Sequence, residues 1–398
     1  MPLKRTLNLP LLTFYGLGSI IGAGIYALIG SVAEQAKSYT MISFLIASII
    51  ALFTAASYAE LSSRFPQSAG SSLYVHKAFN KVWLSGLVGW LVVSTGVISC
   101  GALIHGLMNY LQIYFSTSPY ILIPVIVMIL GGITILGITE SAMTIFVMTF
   151  LEVCGLLIII WFGKSHFISA ITHSSKYIPP LQFDLWLPVL SGSFIAFYAF
   201  IGFEDMVNVA EETIKPEKTM PIAIFLAAIS ATILYILVSF VTVATLDYSE
   251  LMSTKTPLAL IIQHQGHSAF LFSIIAMLSI TNGILVNIIM SSRLIYGMTK
   301  LKNAPKIFSI IYERTQVPLF ATLLVMCIIV ILTMWFPIQT LAKITSTIML
   351  CVFCIMHLSL IIIKIYRPQS NTKHISVPVI FPITGLLLSL IFLIASVL

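Results

Sequence analysis

Long apolar runs separated by short polar breaks fill the chain from end to end. A helix rising ~1.5 Å per residue needs about 20 mostly apolar residues to cross a bilayer. On that rule the runs near 11–33, 39–62, 82–114, 120–138, 142–163, 187–212, 221–246, 268–299, 318–336, 339–364 and 376–397 predict eleven membrane helices. The third is long enough to be tilted. The fourth is short and ends in Gly131, Gly132 and Gly137.

Composition agrees with this pattern. Hydrophobic residues make up 59% of the chain and charged residues 8%, with a mean hydropathy of +1.06. Soluble domains carry about 25% charged residues, so a water-facing surface is excluded. The expected fold class is an all-α polytopic membrane protein forming a single transmembrane domain over 1–398. Lys4 and Arg5 precede an apolar run with no early, isolated cleavage site, so no cleaved leader is expected.

Charge sets the orientation, because Lys and Arg collect in cytoplasmic loops. With the N-terminus inside, positions 4, 5, 64, 77, 81, 215, 218, 293, 300, 302, 306, 314, 364, 367 and 373 lie inside. Positions 37, 164, 176, 255 and 343 lie outside. Fifteen against five places the N-terminus in the cytoplasm and, with eleven helices, the C-terminus outside. The pI near 9.1 then reflects loops beside anionic lipid, and no basic-aromatic interleaving points to nucleic acid.

The first run contains GLGSIIGAGIYALIG, residues 16–30, with glycines at 16, 18, 22, 24 and 30. Gly costs roughly 1 kcal/mol against Ala inside a helix. Gly18 and Gly22 fit close helix packing, whereas Gly22-Ala23-Gly24 fits a local break. A second segment, GSFIAFYAFIGFEDMVNVAEE at 192–212, has Gly202 followed by Glu204 and Asp205 at membrane depth. Each such charge costs about 2.5–3.5 kcal/mol at a helix centre on insertion scales, unless the helix unwinds and water enters. These segments belong to predicted helices one and six. Gly-interrupted helices at matching places in two halves mark an inverted repeat with a midplane binding site. Helices one to five (11–163) and six to ten (187–364) would form the repeats, with 376–397 an additional helix. Each break exposes amides that suit a carboxylate and carbonyls that suit an ammonium. An α-amino acid carries both groups.

Four blocks resemble the amino acid–polyamine–organocation superfamily of permeases. They are GSIIGAGIY at 18–26, SYAELSSRFPQSAGSSLYVHKAFNK at 57–81, FYAFIGFEDMVNVAEETIKPEKTMPIAI at 197–224, and SRLIYGMTK at 292–300 followed by APKIF and VPLFATLL. The resemblance implies a LeuT-type 5+5 inverted-repeat bundle with helices one and six discontinuous. It implies that the Ala23 and Gly24 amides bind a substrate carboxylate, with Gly22 allowing close approach. The carbonyls of Ile20, Tyr198, Ala199 and Ile201 would take the α-amine, and Phe203 would gate the site. Several proton-coupled members carry a Lys in helix five; Glu152 stands there in this chain, as the expected coupling group. Ser291 and Ser292 fall where sodium-coupled relatives hold a cation. Many members have twelve helices against the eleven counted here.

The expected function is secondary active transport of amino acids across the cell membrane, plasma or inner, by proton-coupled symport or exchange. The expected partners are the amino acid, protons and the lipid bilayer, without cofactor, metal or nucleic acid. No phosphate-binding G-x-x-x-x-G-K-[ST] motif is present. Polyamine or cationic amino acid transport is the rival reading, because Glu204 and Asp205 could face a positive side chain. Neutral cargo is favoured, since those acids are expected toward the cytoplasmic end of helix six, away from the pocket. An intramembrane enzyme or a non-transporting sensor is the alternative from another class. For an enzyme, Glu152 is the sole deep carboxylate expected outside helix six, and His105 has no evident partner. The cysteines at 100, 154, 327, 351 and 354 all fall inside spans, so the Cys351-x-x-Cys354 pair reads as packing. His264 and His267 read as ordinary loop histidines with no carboxylate nearby.

Overall fold

A computed structural model describes residues 5–67, 70–115, 117–136, 142–165, 177–300, 303–312, 315, 317–366 and 375–395. Gly137, Lys4, Lys176, Lys302, Arg314, Arg367 and Lys373 lie outside the described residues. The protein is helical, and the described residues contain no strand beyond two isolated bridges. Six helical stretches are long and apolar enough to cross a membrane, accompanied by five shorter apolar helices.

In chain order the helices are α1 (Leu9–Ala23), α2 (Ile25–Ala36), α3 (Thr40–Arg64), α4 (Gly70–Phe79), α5 (Val82–Leu111), α6 (Pro119–Ile135), α7 (Ala142–Phe162) and α8 (Phe183–Tyr198). A 3-10 helix (Phe203–Glu212) follows α8. Then come α9 (Pro216–Thr245), α10 (Tyr248–Ser253), α11 (Pro257–His264), α12 (Phe270–Lys300), α13 (Leu319–Trp335), α14 (Ile338–Tyr366) and α15 (Ile380–Ala395). Local chemistry sets the first boundary. The Asn8 side chain accepts the Leu11 N–H at 3.1 Å, and Pro10 stands in the first turn, where its missing N–H has no cost.

The large apolar side chains fall into two populations. Tyr26, Phe44, Tyr58, Phe197 and Phe353 are wholly buried, whereas Trp335 (78% exposed), Ile391 (62%) and Met128 (60%) face outward. Outward-facing apolar surface on this scale suits hydrocarbon rather than water. The broken helices α1–α2 and α8 occupy the centre: α1 packs on α7 and α9, and α8 packs on α2 and α3. Around them α3 runs along α9, and α5 along α12 and α14.

The structure departs from the sequence reading outside the bilayer and near its edge. The stretch after α3 is not a loop: α4 buries Tyr74 and Val75, and the Ser71 hydroxyl lies 2.7 Å from that of Tyr58. Glu152 is not the sole deep carboxylate outside helix six. Glu60, near the end of α3, is completely buried, and it pairs with Arg64 at 2.7 Å and with Lys364 of α14 at 2.7 Å. It also accepts the Val377 N–H at 2.8 Å, pinning the segment that leads into α15. His264 does have a carboxylate nearby, Glu250 at 3.1 Å, while His267 stacks on Phe162 with centroids 5.2 Å apart. His105 reaches the Phe336 carbonyl at 3.0 Å. Among the described residues, no group of three or more His, Cys, Asp or Glu could hold a metal ion.

Candidate functional site

Backbone geometry fixes the centre of the molecule. Helical dihedrals are lost at Gly24 (φ −126°, ψ −66°), whose N–H donates to the Ile21 carbonyl at 3.3 Å. Beyond α8 the chain tightens, with Ala199, Phe200 and Ile201 each donating three residues back. It turns at Gly202, with φ +136°, a region that L side chains avoid. The two breaks seat against each other. A Cβ on Gly24 would stand 2.2 Å from Ala199 Cα, and one on Gly202 would stand 2.5 Å from the Ser19 carbonyl oxygen. Each glycine is required because the other broken strand of backbone fills the space a side chain would need.

Each residue expected at the site has a definite place. The Ile20 and Ala199 carbonyls converge on one group, the Tyr235 hydroxyl of α9, at 2.9 and 3.1 Å. Tyr235 is wholly buried, with its ring edge-on to Phe200 at 5.0 Å. Nothing in the sequence distinguishes it from any other aromatic of a buried helix. The Tyr198 hydroxyl meets the Ser99 hydroxyl at 2.6 Å and donates to the Ser99 carbonyl at 3.0 Å, tying the helix-six break to α5. Phe203 is buried with its ring 5.8 Å from Tyr58 and 5.5 Å from Phe353. Ile201 lines the cavity beside the breaks; Ile20, Gly22, Ala23, Gly24, Tyr198, Ala199 and Phe203 do not line it in this conformation.

That inner cavity, about 60 Å³, lies between α1, α5, the helix-six break and α12. It shares Tyr15, Glu204, Asp205 and Met290 with a vestibule of about 790 Å³, which extends to Leu7 at the start of α1 and to Asn303 beyond α12. Glu204 and Asp205 therefore stand in the cavity wall, against the expectation that they lie away from the pocket. Glu204 accepts the Gly202 N–H at 2.8 Å. Asp205 accepts the Ser19 hydroxyl at 3.4 Å, so the two acids brace both breaks. Ser291 lines the same cavity. Ser292 does not, and its hydroxyl donates to the Ile289 carbonyl of its own helix at 3.0 Å.

Glu152 lies on the other side of helix one, 2% exposed. A Cβ on Gly22 would come within 3.6 Å of its Oε1 and 3.2 Å of the Ser279 carbonyl oxygen. The Glu152 carbonyl accepts the Tyr26 hydroxyl at 2.6 Å. The Thr149 and Ser279 hydroxyls are buried without a hydrogen-bond partner among the described residues. An added Cβ at Gly18 would overlap the Thr149 hydroxyl. Thus Ser279, three turns before Ser291, is the α12 hydroxyl residue beside Gly22.

These features define a helical membrane protein with a ligand-sized cavity beside two glycine-broken helices. Residues 7–398 match the family model described as amino acid permease, and the chain belongs to that family. It is similar to the mitochondrial cationic amino acid transporter 3 of Arabidopsis thaliana, 30% identical over 93% of this chain and 64% of the relative. It is similar to a branched-chain amino acid permease of Bacillus subtilis, 27% identical over 92% of this chain and 82% of the relative. A methylthioribose transporter of Bacillus subtilis is 26% identical over 92% of this chain and 83% of the relative. The chain spans less than two thirds of the length of the plant transporters it matches, at 64% and 61% for two of them.

Proposed function

We propose that this chain is a secondary active transporter that carries amino acids across a cell membrane, plasma or inner, by alternating access. One observation carries the reading: Gly24 seats on Ala199 and Gly202 on Ser19, so two helix breaks present their backbone at one place. The Ala23 and Gly24 amides take the cargo carboxylate. The carbonyls of Ile20, Tyr198, Ala199 and Ile201 take its ammonium, which displaces the Tyr235 hydroxyl from two of them. Phe203 closes over the cargo. The bundle is a 5+5 inverted repeat (11–163 and 187–364) with eleven spans and a cytoplasmic N-terminus, so the vestibule near Leu7 and Asn303 faces the cytoplasm. The relatives' names support amino acid cargo but divide between cationic and branched-chain substrates. An enzyme has less support, because His105 faces a carbonyl and His357 two hydroxyls, neither of them a carboxylate.

Glu152 is the coupling group, because it is a buried acid beside the helix-one break and the polar Thr149 and Ser279. A carboxyl there exchanges a proton as the break opens to one side and then the other. Glu152→Gln holds the neutral form with similar size and hydrogen bonding. In proteoliposomes it should abolish pH-driven accumulation of labelled amino acids while retaining exchange of internal for external substrate. Unchanged, pH-dependent accumulation in that variant would place coupling elsewhere.

A further inference from the structure

We propose that the Tyr235 hydroxyl stands in for the cargo's ammonium when the carrier is empty. It closes the two breaks on each other and lets the empty carrier change sides, which makes the protein a net transporter rather than an obligatory exchanger. The inference rests on the transporter reading and adds what happens on the return step.

Hydrogen-bond supply is the first argument. The Gly24 N–H turns to the Ile21 carbonyl, so the Ile20 carbonyl loses the donor that a continuous helix would give it. At the other break the Gly202 N–H goes to the Glu204 carboxylate, not back along α8. Ile20 and Ala199 are both wholly buried, and a buried carbonyl left without a donor is costly. The Tyr235 hydroxyl reaches both carbonyls, at 2.9 and 3.1 Å. It bridges helix one to helix six where their own ladders fail.

The mounting of the ring is the second argument. Tyr235 comes from α9, which packs on α1 and α3. Its ring is buried, with Phe44 edge-on at 5.9 Å and Phe200 at 5.0 Å. The hydroxyl is therefore aimed at the carbonyls from a fixed mount, and Tyr235 does not line the inner cavity. It is a positioning residue that acts through the two carbonyls.

Stoichiometry is the third. A hydroxyl has one hydrogen to share between two carbonyls, whereas an ammonium has three. Arriving cargo satisfies the carbonyls better and displaces the hydroxyl; departing cargo lets it return. Changing sides requires both ends to be shut at once, when water no longer reaches the breaks and every backbone group needs a partner from the protein or the cargo. In that state the loaded carrier has the ammonium and the empty carrier has Tyr235. Without the hydroxyl, only the loaded carrier crosses with its carbonyls satisfied, so net transport fails and exchange survives.

The full chain in proteoliposomes, as wild type and as Tyr235→Phe, tests this with labelled L-leucine and L-arginine. Net uptake is read in vesicles holding buffer alone, and exchange in vesicles holding the same unlabelled amino acid. In Tyr235→Phe, net uptake should fall at least tenfold more than exchange. The purified variant should also bind the transported amino acid more tightly than wild type does, because no hydroxyl has to be displaced. No loss, equal loss in both modes, or binding no tighter than wild type would overturn the inference and leave the transporter reading standing. A wild type that exchanges but shows no net uptake would overturn it without any variant. A wild type that moves neither amino acid in either mode would overturn the transporter reading and the inference together.

Discussion

The two ends of the molecule are held by different chemistry. At the end away from the N-terminus the seal is close packing and single hydrogen bonds, two of them involving the charged Glu34 and Lys343. Ser43 donates to the Val189 carbonyl at 2.8 Å, and Gly192 admits Ala36 so closely that a Cβ would stand 2.8 Å from the Ala36 side chain. Gln339 donates to Glu34 at 2.5 Å, and Lys343 reaches Ser191 at 3.4 Å. At the N-terminal end there is an open vestibule, flanked by the buried Glu60–Arg64–Lys364 cluster. A seal of small residues and single, partly solvated hydrogen bonds separates at less cost than a cluster of buried ion pairs, whose separation is expensive. We read the first as the part that opens and the second as the part that anchors α3, α14 and α15 while it does.

The largest effect is expected where the two ends meet. Gly24→Val forces a side chain into Ala199, and Gly202→Val combines overlap with the Ser19 carbonyl and an unfavourable positive φ. Both should abolish uptake. Gly24→Val should remain inserted and folded by size-exclusion profile, because its clash is confined to the meeting of the breaks. Undiminished uptake by either variant would show that the breaks are not where cargo binds.

Next comes the anchor. Glu60→Gln leaves Arg64 and Lys364 buried with a neutral partner, and removing one member of a buried pair costs about 3–5 kcal/mol. Denaturation of the purified variant should show a loss on that scale. A loss below about 1 kcal/mol would mean that water reaches the cluster and that it anchors nothing.

The moving seal is tested by prying it apart. Gly192→Val places a branched side chain against Ala36 and Ser43, penalising the state in which that end is closed. A shift of about 1.4 kcal/mol changes the population ratio tenfold. A cysteine at Ser72, on the vestibule wall, reports it. In the Gly192→Val background its labelling by a membrane-impermeant maleimide from the N-terminal side should slow about tenfold. Unchanged labelling would assign the seal to the fixed frame.

Much of this arrangement was legible in the residues, and the rest was hidden for identifiable reasons. Glycine clusters at membrane depth have few explanations, so both breaks could be placed to within two residues. Hydropathy gives depth but not the direction a side chain faces, which is why Glu204 and Asp205 were set away from a cavity whose wall they form. Helix eight is a question of phase: Ser291 lines the cavity, and only packing showed that the Ser279 backbone lies beside Gly22. Tyr235 carried no signal, since its role depends on two carbonyls 179 residues apart, at Ile20 and Ala199. Glu60 lay hidden in SYAELSSRFP, which reads as the wet end of a helix until Lys364 and Val377 close over it.

The smallest effect is expected at the ion pair between α11 and α10, His264 with Glu250. The two side chains lie 3.1 Å apart, and each keeps about a third of its surface exposed, at 36% and 35%. Water solvates both partners and salt screens them, so such pairs contribute about 0.2–1 kcal/mol. Glu250 has other work as well: it accepts the Asp247 N–H at 2.9 Å and completes the capping box of α10. His264→Ala removes the pair and keeps the cap, whereas Glu250→Ala removes both. The first should change thermal stability by less than about 1 kcal/mol, with the difference vanishing in high salt. The second should cost about 1 kcal/mol more, in the usual range for a lost cap, and that part should persist in salt. If His264→Ala instead matches Glu60→Gln, then the end away from the N-terminus is also anchored by charge and the contrast between the two ends fails.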